Sequence, residues 1–342
     1  LWVTGTNPAV SMPELSRIRS ILAQDRLFLV VQDIFLTETA QLADVVLPAA
    51  TWAEKTGCFT NADRTVHLSE RAVDPPGEAR SDLDIWLDLA RRLDLRTRSG
   101  GPLIGWSDAS GAFDAWAECS RGRPCDYSGL SHDRLRGAPG IQWPCDADRP
   151  DGTARLYTDG HFATTPGDAE DFGHDLATGA VVPPDEYKAR RPDGRAFLRA
   201  APYEPAPEPP DDAHPLHLAT GRTVHHIHTR TKTGRTPELE AAAPEPWVEL
   251  HPDDAAERGL ADGDTVRVES ATGAVEVPLR ITGIRPGVVF LPFHYGWWDD
   301  AGHDPAGGRV TAANALVAVR WDPVSKQPAF KVGAVTVTTT GG

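Results

Sequence analysis

Beyond the proline-rich run Tyr203-Glu-Pro-Ala-Pro-Glu-Pro-Pro, the hydrophobic period of the chain changes. That change limits what each side can become. Before the run, short apolar stretches alternate with helical spacing. Residues 1–3, 27–31 and 45–47 read as buried strands, the last stopped by Pro48. Between the first two, Leu15, Ile18, Ile21 and Leu22 recur at helical spacing. Ser11 reads as the N-cap and Glu14 as its capping-box partner. Residues 37–43 form a second, shorter helix. Strand, helix, strand, helix, strand is the order of a doubly wound α/β fold with a parallel sheet. After the run the period is two. Residues 217–219, 247–250, 265–269, 274–279, 287–291 and 332–337 read as short strands, with Asp262-Gly263-Asp264 as a tight turn and a helical piece at 251–256. Short strands separated by Gly/Asp turns indicate a small β-barrel.

The stretch between is harder to read. Residues 54–61 look like a polar glycine-containing loop, and residues 82–95 like an amphipathic helix with Asp82 at its start after Ser81. From 99 to 212 periodicity fails, and the proline-rich run reads as a stiff linker. The expected boundaries are therefore 1–98 (α/β), 99–212 (irregular connection and linker) and 213–342 (barrel). A length of 342 residues suits two domains with real cores. A net charge of −15 argues against nucleic acid or an anionic membrane as the main partner. No apolar run approaches a membrane span, and the expected location is cytoplasmic. Cys58, Cys119, Cys125 and Cys145 form no C-x-x-C pair, so a zinc or iron–sulfur site built from them is not expected. The chain opens inside an apolar run, not on Met, and reads as the C-terminal portion of something longer.

Residues 220–237, T-G-R-T-V-H-H-I-H-T-R-T-K-T-G-R-T-P, contain no carboxylate, although the chain carries 49 Asp+Glu against 34 Lys+Arg. Arg222, Arg230, Lys232 and Arg235 alternate with threonines, and His225, His226 and His228 lie between them. Arg offers forked donors to phosphate oxygens, and glycine lets backbone N–H groups approach an anion closely. The plain alternative is a solvated basic loop. A histidine metal site is the other. On a strand only His226 and His228 share a face, and a third ligand would have to come from His251 or His294, so anion binding is preferred. Gly5, Asn7, Gln32 and Asp33 fall at the carboxyl ends of successive strands, where open parallel sheets bind ligands. Asn7 and Asp33 taken singly read as turn and cap residues. There is no G-x-G-x-x-G and no P-loop lysine.

The blocks G-T-N-P, V-V-Q-D-I-F-L-T-E-T-A-Q-L-A-D-V-V-L-P and E-K-T-G-C-F-T-N-A-D-R resemble the third domain of molybdopterin-dependent oxidoreductases. T-G-R…H-T-R-T-K-T-G-R, W-V-E-L-H-P-D-D-A, A-N-A-L and D-P-V-S-K-Q-P resemble that family's C-terminal dinucleotide-binding barrel, of six-stranded type. R-P-C-D-Y-S-G-L, G-I-Q-W-P-C and G-T-A-R-L-Y are similar to assimilatory nitrate reductase segments. The resemblance implies molybdenum held by two molybdopterin guanine dinucleotides. It implies that Gly5, Asn7, Pro8, Ser11, Gln32, Asp33, Asp44 and Asp82 belong to a dinucleotide site, with Asp33, Asp44 or Asp82 accepting from guanine. It implies that Thr220, Gly221, Arg222, His226, Arg230, Thr233, Gly234, Asn314 and Lys331 line the pterin and phosphate side. Phe293, Tyr295, Trp297 and Trp298 read as barrel packing, in a region that lies near the pterin in the family. Cys58 stands where the family usually has Thr, and reads as a tolerated small residue. The metal ligand and an iron–sulfur cluster are expected in an upstream half, so no catalytic residue and no metal ligand is assigned here. The implied function is nitrate reduction, with a small anionic substrate and an electron-transfer partner. The alternatives are a formate dehydrogenase-like enzyme, or a non-catalytic nucleotide- or partner-binding remnant.

Overall fold

The structure, a computed structural model, describes residues 1–162, 203, 205–297, 312–321 and 327–340. It divides into two compact units. One comprises Leu1–Pro48 with Tyr203–Gly342, the other Ala49–Pro202. These units cut the chain elsewhere than the expected boundaries near 98 and 212, because the barrel gathers the first strands into its own unit. Much of the stretch expected to be irregular, residue 204 of the expected linker, and Trp298 lie outside the described residues.

In the first unit, β1 (Trp2–Thr4), β2 (Val30–Asp33) and β3 (Val45–Pro48) form a parallel sheet in that order. Val3 pairs with Val31, and Val31 with Val46. The β1–β2 connection holds α1 (Pro8–Ser11) and α2 (Leu15–Leu22), and the β2–β3 connection holds α3 (Glu38–Gln41). Val3, Ala9, Leu22, Leu29, Val31 and Ala40 bury one cluster, which Trp297 joins. The expected capping box at Ser11 is not formed. Asn7 precedes Pro8 at the first helical position, so a one-turn helix starts there and Ser11 is its last residue. Met12 is extended, as a residue before proline prefers, and α2 starts afresh after Glu14 at φ 46°.

Six strands of the same unit close a barrel in which each has two neighbours: β7 (Leu216–Gly221), β8 (Val248–Leu250), β9 (Thr265–Glu269), β10 (Ala274–Ile281), β11 (Val288–Pro292) and β12 (Val332–Thr339). The cyclic order is β10-β8-β11-β7-β12-β9. The β10–β8 and β11–β7 pairs are parallel and the others antiparallel. Alternate residues point inward, so Val266, Val268, Val275, Val277, Leu279, Val289, Leu291, Val335 and Val337 fill the interior. The period-two strands read from the sequence are these strands. Residues 222–232, by contrast, are a loop and not a strand, so no strand face sorts the three histidines.

The second unit contains an antiparallel sheet of β4 (Gly57–Thr60), β5 (Thr65–Ser69) and β6 (Ile141–Gln142). The expected loop at 54–61 is thus half strand. Among the described residues, α4 (Asp82–Arg92), α5 (Ala109–Ser120) and α6 (His132–Leu135) accompany it. The cap expected at the start of α4 is Ser81, whose hydroxyl accepts from the Asp84 N–H. Val66, Ala117, Tyr127, Leu130, Leu135 and Cys145 form this unit's core, with Cys58 packed against it. Burial pushes the Cys58 thiol up to about 11, so it packs as a protonated apolar group.

Candidate functional site

The site begins where β7 ends. Thr220 donates its hydroxyl to the Phe330 carbonyl at 2.7 Å, which holds the Phe330–Lys331 segment beside β7. Gly221 follows, and a Cβ there would come within 2.6 Å of the Phe290 ring, so only glycine fits. Arg222 then emerges with its guanidinium 5.5 Å from the centre of the Phe293 ring. The Lys331 ammonium lies 4.6 Å from the same centre. Burial first, and then the neighbouring Arg222 charge, lower the Lys331 pKa. Among the described residues, no carboxylate pairs with either cation. Two cations with no paired carboxylate among the described residues thus stand beside one aromatic ring.

From Thr223 onward the loop is held mainly by its own polar groups. His226 is 4% exposed. Its Nε2 lies 2.7 Å from the Ala243 carbonyl, which therefore accepts from it, and its Nδ1 lies 3.0 Å from the Thr233 hydroxyl. Arg230, 2% exposed and in the left-handed region at φ 62°, donates to Glu240 at 3.0 Å and to the Pro244 carbonyl at 2.6 Å, under the Tyr295 ring. Gly234 donates its N–H to the Arg230 carbonyl. His226, Arg230, Thr233 and Gly234 therefore share one internal network, while Thr220, Gly221, Arg222 and Lys331 form the cationic seat.

His294, just beyond β11 and read from the sequence only as an alternative third ligand of a histidine metal site, is fully buried against this loop. Its Nε2 accepts the Thr223 N–H at 2.9 Å, so its Nδ1 carries the proton and donates to the His228 carbonyl at 2.6 Å. Burial, with smaller contributions from the His226, Arg222 and Arg230 charges, pushes it down to about 4. The ring is neutral at pH 7.

The strand-end residues form a second network. Gly5, at φ 60°, donates to the Gln32 carbonyl, and Gln32 itself is fully buried. Asn7 accepts from the backbone and hydroxyl of Thr39 and donates to Glu38 (2.8 Å) and to Thr229 of the basic loop (3.1 Å). Glu38 also accepts the Trp297 N–H at 2.8 Å. Glu38 escaped the sequence reading because one partner lies 259 positions away. Asn314 donates to the Ser11 carbonyl at 2.8 Å, and Pro8 opens the helix that Ser11 closes. Asp33 caps Ile34 N–H, and Asp44 accepts the Leu29 N–H at 2.7 Å. The structure thus joins Asn7, and through it the sheet end, to the basic loop. Asp82 belongs to the second unit, where it pairs with Lys55.

The closed barrel places Arg222, just after its first strand, and Lys331, just before its last, beside one aromatic ring. Residues 216–334 match the family described as Molydopterin dinucleotide binding domain. Residues 1–92 match that described as Molybdopterin oxidoreductase. Two stretches of the chain thus carry domains of the molybdopterin oxidoreductase and molydopterin dinucleotide-binding families. The chain is 33% identical to the periplasmic nitrate reductase of Desulfovibrio desulfuricans, over 97% of this chain and 40% of that one. It is 36% identical to the F420-dependent formate dehydrogenase 1 subunit alpha of Methanococcus maripaludis, over 98% and 42%. Identity to the assimilatory nitrate reductase catalytic subunit of Bacillus subtilis is 35%, over 98% and 41%. The chain spans about 40% of the length of the curated relatives it matches. The fold is also that of acetylene hydratase from Pelobacter acetylenicus, with a TM-score of 0.68 over 99% of this chain and 44% of that one, at 19% identity. Among the described residues, no helix is long and apolar enough to cross a membrane.

Proposed function

We propose that the chain is the cofactor-holding portion of a molybdenum-dependent oxidoreductase that reduces nitrate to nitrite by oxygen-atom transfer. The observation that carries this reading is the Arg222–Lys331 pair around Phe293. Two cations with no carboxylate between them among the described residues fit the pyrophosphate of a molybdopterin guanine dinucleotide. Two such dinucleotides would supply, with their molybdenum, the two-electron chemistry. The chain's own residues would bind and orient. Thr220, Gly221, Arg222 and Lys331 would meet phosphate, and His226, Arg230, Thr233, Gly234 and Asn314 would shape the pterin side. Gly5, Asn7, Pro8, Ser11, Gln32, Asp33 and Asp44 would serve the dinucleotide end, one of the carboxylates accepting from guanine. The parallel sheet β1–β3 is read as part of a doubly wound α/β domain. An iron–sulfur centre and an electron-transfer partner would complete the enzyme.

A second reading, formate oxidation, is favoured by the formate dehydrogenase relative at 36% identity. Location divides in the same way, between assimilatory relatives and a periplasmic one. The test is metal and guanine-nucleotide analysis of the full-length product from its own source, followed by assays with nitrate and with formate. Near-stoichiometric molybdenum with nitrate turnover is expected. Turnover of formate alone would select the second reading, and absence of both metal and nucleotide would reduce the chain to a non-catalytic remnant. Asp33→Ala in that protein is expected to lower molybdenum content, and undiminished loading would remove Asp33 from the site.

A further inference from the structure

One imidazole fastens the Thr223–His228 segment of the basic loop at both ends. His294 contacts the loop at two points five residues apart, accepting from Thr223 N–H at 2.9 Å and donating to the His228 carbonyl at 2.6 Å. The segment between carries the exposed Val224, the half-exposed Ile227 and a left-handed His228 at φ 48°. An exposed apolar tip and a left-handed histidine are not stable on their own account. Arg222 lies immediately before the first fastening point, beside the Phe293 ring that stands 4.9 Å from the His294 ring.

We propose that His294 is the positioning residue of the cationic seat: its neutral ring, bonded through both nitrogens to the two ends of the Thr223–His228 segment, holds Arg222 beside Lys331. The bonding pattern admits one protonation state. With Nδ1 donating to a carbonyl, Nε2 must be bare to accept from an amide. A second proton would set an N–H against the Thr223 N–H, with the Arg222 and Arg230 cations and the titratable His226 ring around it. The ring's depressed basicity at this place agrees with that exclusion. The role is independent of which anion occupies the seat. Only the pyrophosphate arm of the test rests on the phosphate reading given above.

The 342-residue chain labelled with 15N-histidine reads the tautomer directly. At pH 7 His294 is expected to show a protonated Nδ1 and a bare Nε2. The opposite tautomer, or an imidazolium, overturns the proposal. Amide hydrogen exchange supplies the second readout. His294→Phe keeps the ring volume and removes both hydrogen bonds, so exchange of the Thr223 amide should accelerate at least tenfold. Affinity for inorganic pyrophosphate, measured by calorimetry, should fall at least fivefold. His294→Gln, which restores an acceptor toward Thr223, should recover much of that amide's protection. Unchanged exchange in His294→Phe would mean that the residue only fills space, and would sink the idea. Should His294→Phe not fold, the tautomer and the Thr223 protection of the unaltered chain still decide. If the unaltered chain binds no pyrophosphate, the phosphate reading of the seat falls, while exchange alone judges the clasp.

Discussion

His294 and Arg230 show how individual side chains set the conditions under which the site exists. The His294 ring titrates near 4 in the folded chain, against about 6.5 in an unfolded one. Between those values the unfolded state binds the extra proton, so stability falls as pH falls. The contribution is complete above pH 6.5 and is lost on the way down to pH 4, amounting to about 3 kcal/mol. Urea unfolding at pH 7.5 and pH 5 should therefore show a larger drop for the unaltered chain than for His294→Phe, and equal drops would contradict the assignment. Arg230 acts through a buried charge. Replacing it by Ala leaves Glu240, whose side chain is 27% exposed, without that ion pair. The expected cost is about 2–3 kcal/mol, read as a lowered thermal midpoint. Both residue types were legible as chemistry in the sequence. Their partners were not, since Thr223 is 71 positions from His294. Cations announce themselves by type, whereas a satisfied imidazole is defined only by what surrounds it.

At the scale of elements, the short helix α3 is a bolt. Its Glu38 carboxylate, fully buried, receives Asn7 from the β1 end and the Trp297 N–H from beyond β11. Gly296 makes the approach possible, because a Cβ there would stand 1.8 Å from the Glu38 Oε1 and 2.6 Å from Val10. Gly296→Ala should destabilise the unit by about 3 kcal/mol, as overpacking against a buried carboxylate does. Chemical unfolding checks this, and a shift below the experimental error would mean the loop yields freely. Elements read well from the sequence where one face is buried and the period is clean, as in β9 and β10. They read poorly where local signals compete. Ser11 and Glu14 spell a capping box, but Pro8 and Pro13 impose a different division of the turns. The β4–β5 hairpin turns through Asn61 and a left-handed Arg64 without a glycine, and nothing in the composition marks it. Helix α5 carries Gly, Ser and four alanines, which blurs its apolar stripe.

For the whole molecule, the barrel brings Arg222 and Lys331 together beside Phe293, but no metal ligand is assigned on this chain. The 342-residue chain on its own is therefore expected to lose molybdenum during gel filtration. Elemental analysis of the eluted peak is the check, and stoichiometric retention would require a ligand among these residues. The class of fold was readable because period and composition act over tens of residues. The pairing of Arg222 and Lys331 beside Phe293 needed the contact between Thr220 and Phe330, which lie 110 positions apart.

The order in which the barrel strands leave the ribosome carries a final consequence. Strand β12 sits between β7 and β9, yet it is made last of the six. At ordinary elongation rates roughly 5 to 20 seconds separate the synthesis of β7 from that of β12. Until β12 is made, the edge of β7 that it will cover stays bare, and so, once β9 has itself been made, does the edge of β9, each open to a neighbouring nascent chain. Closure is a single late event that links distant segments, so it is slow by nature. On the function proposed above, cofactor capture would wait for this late segment, because Lys331, the second cation beside Phe293, arrives just ahead of the strand that seals the barrel.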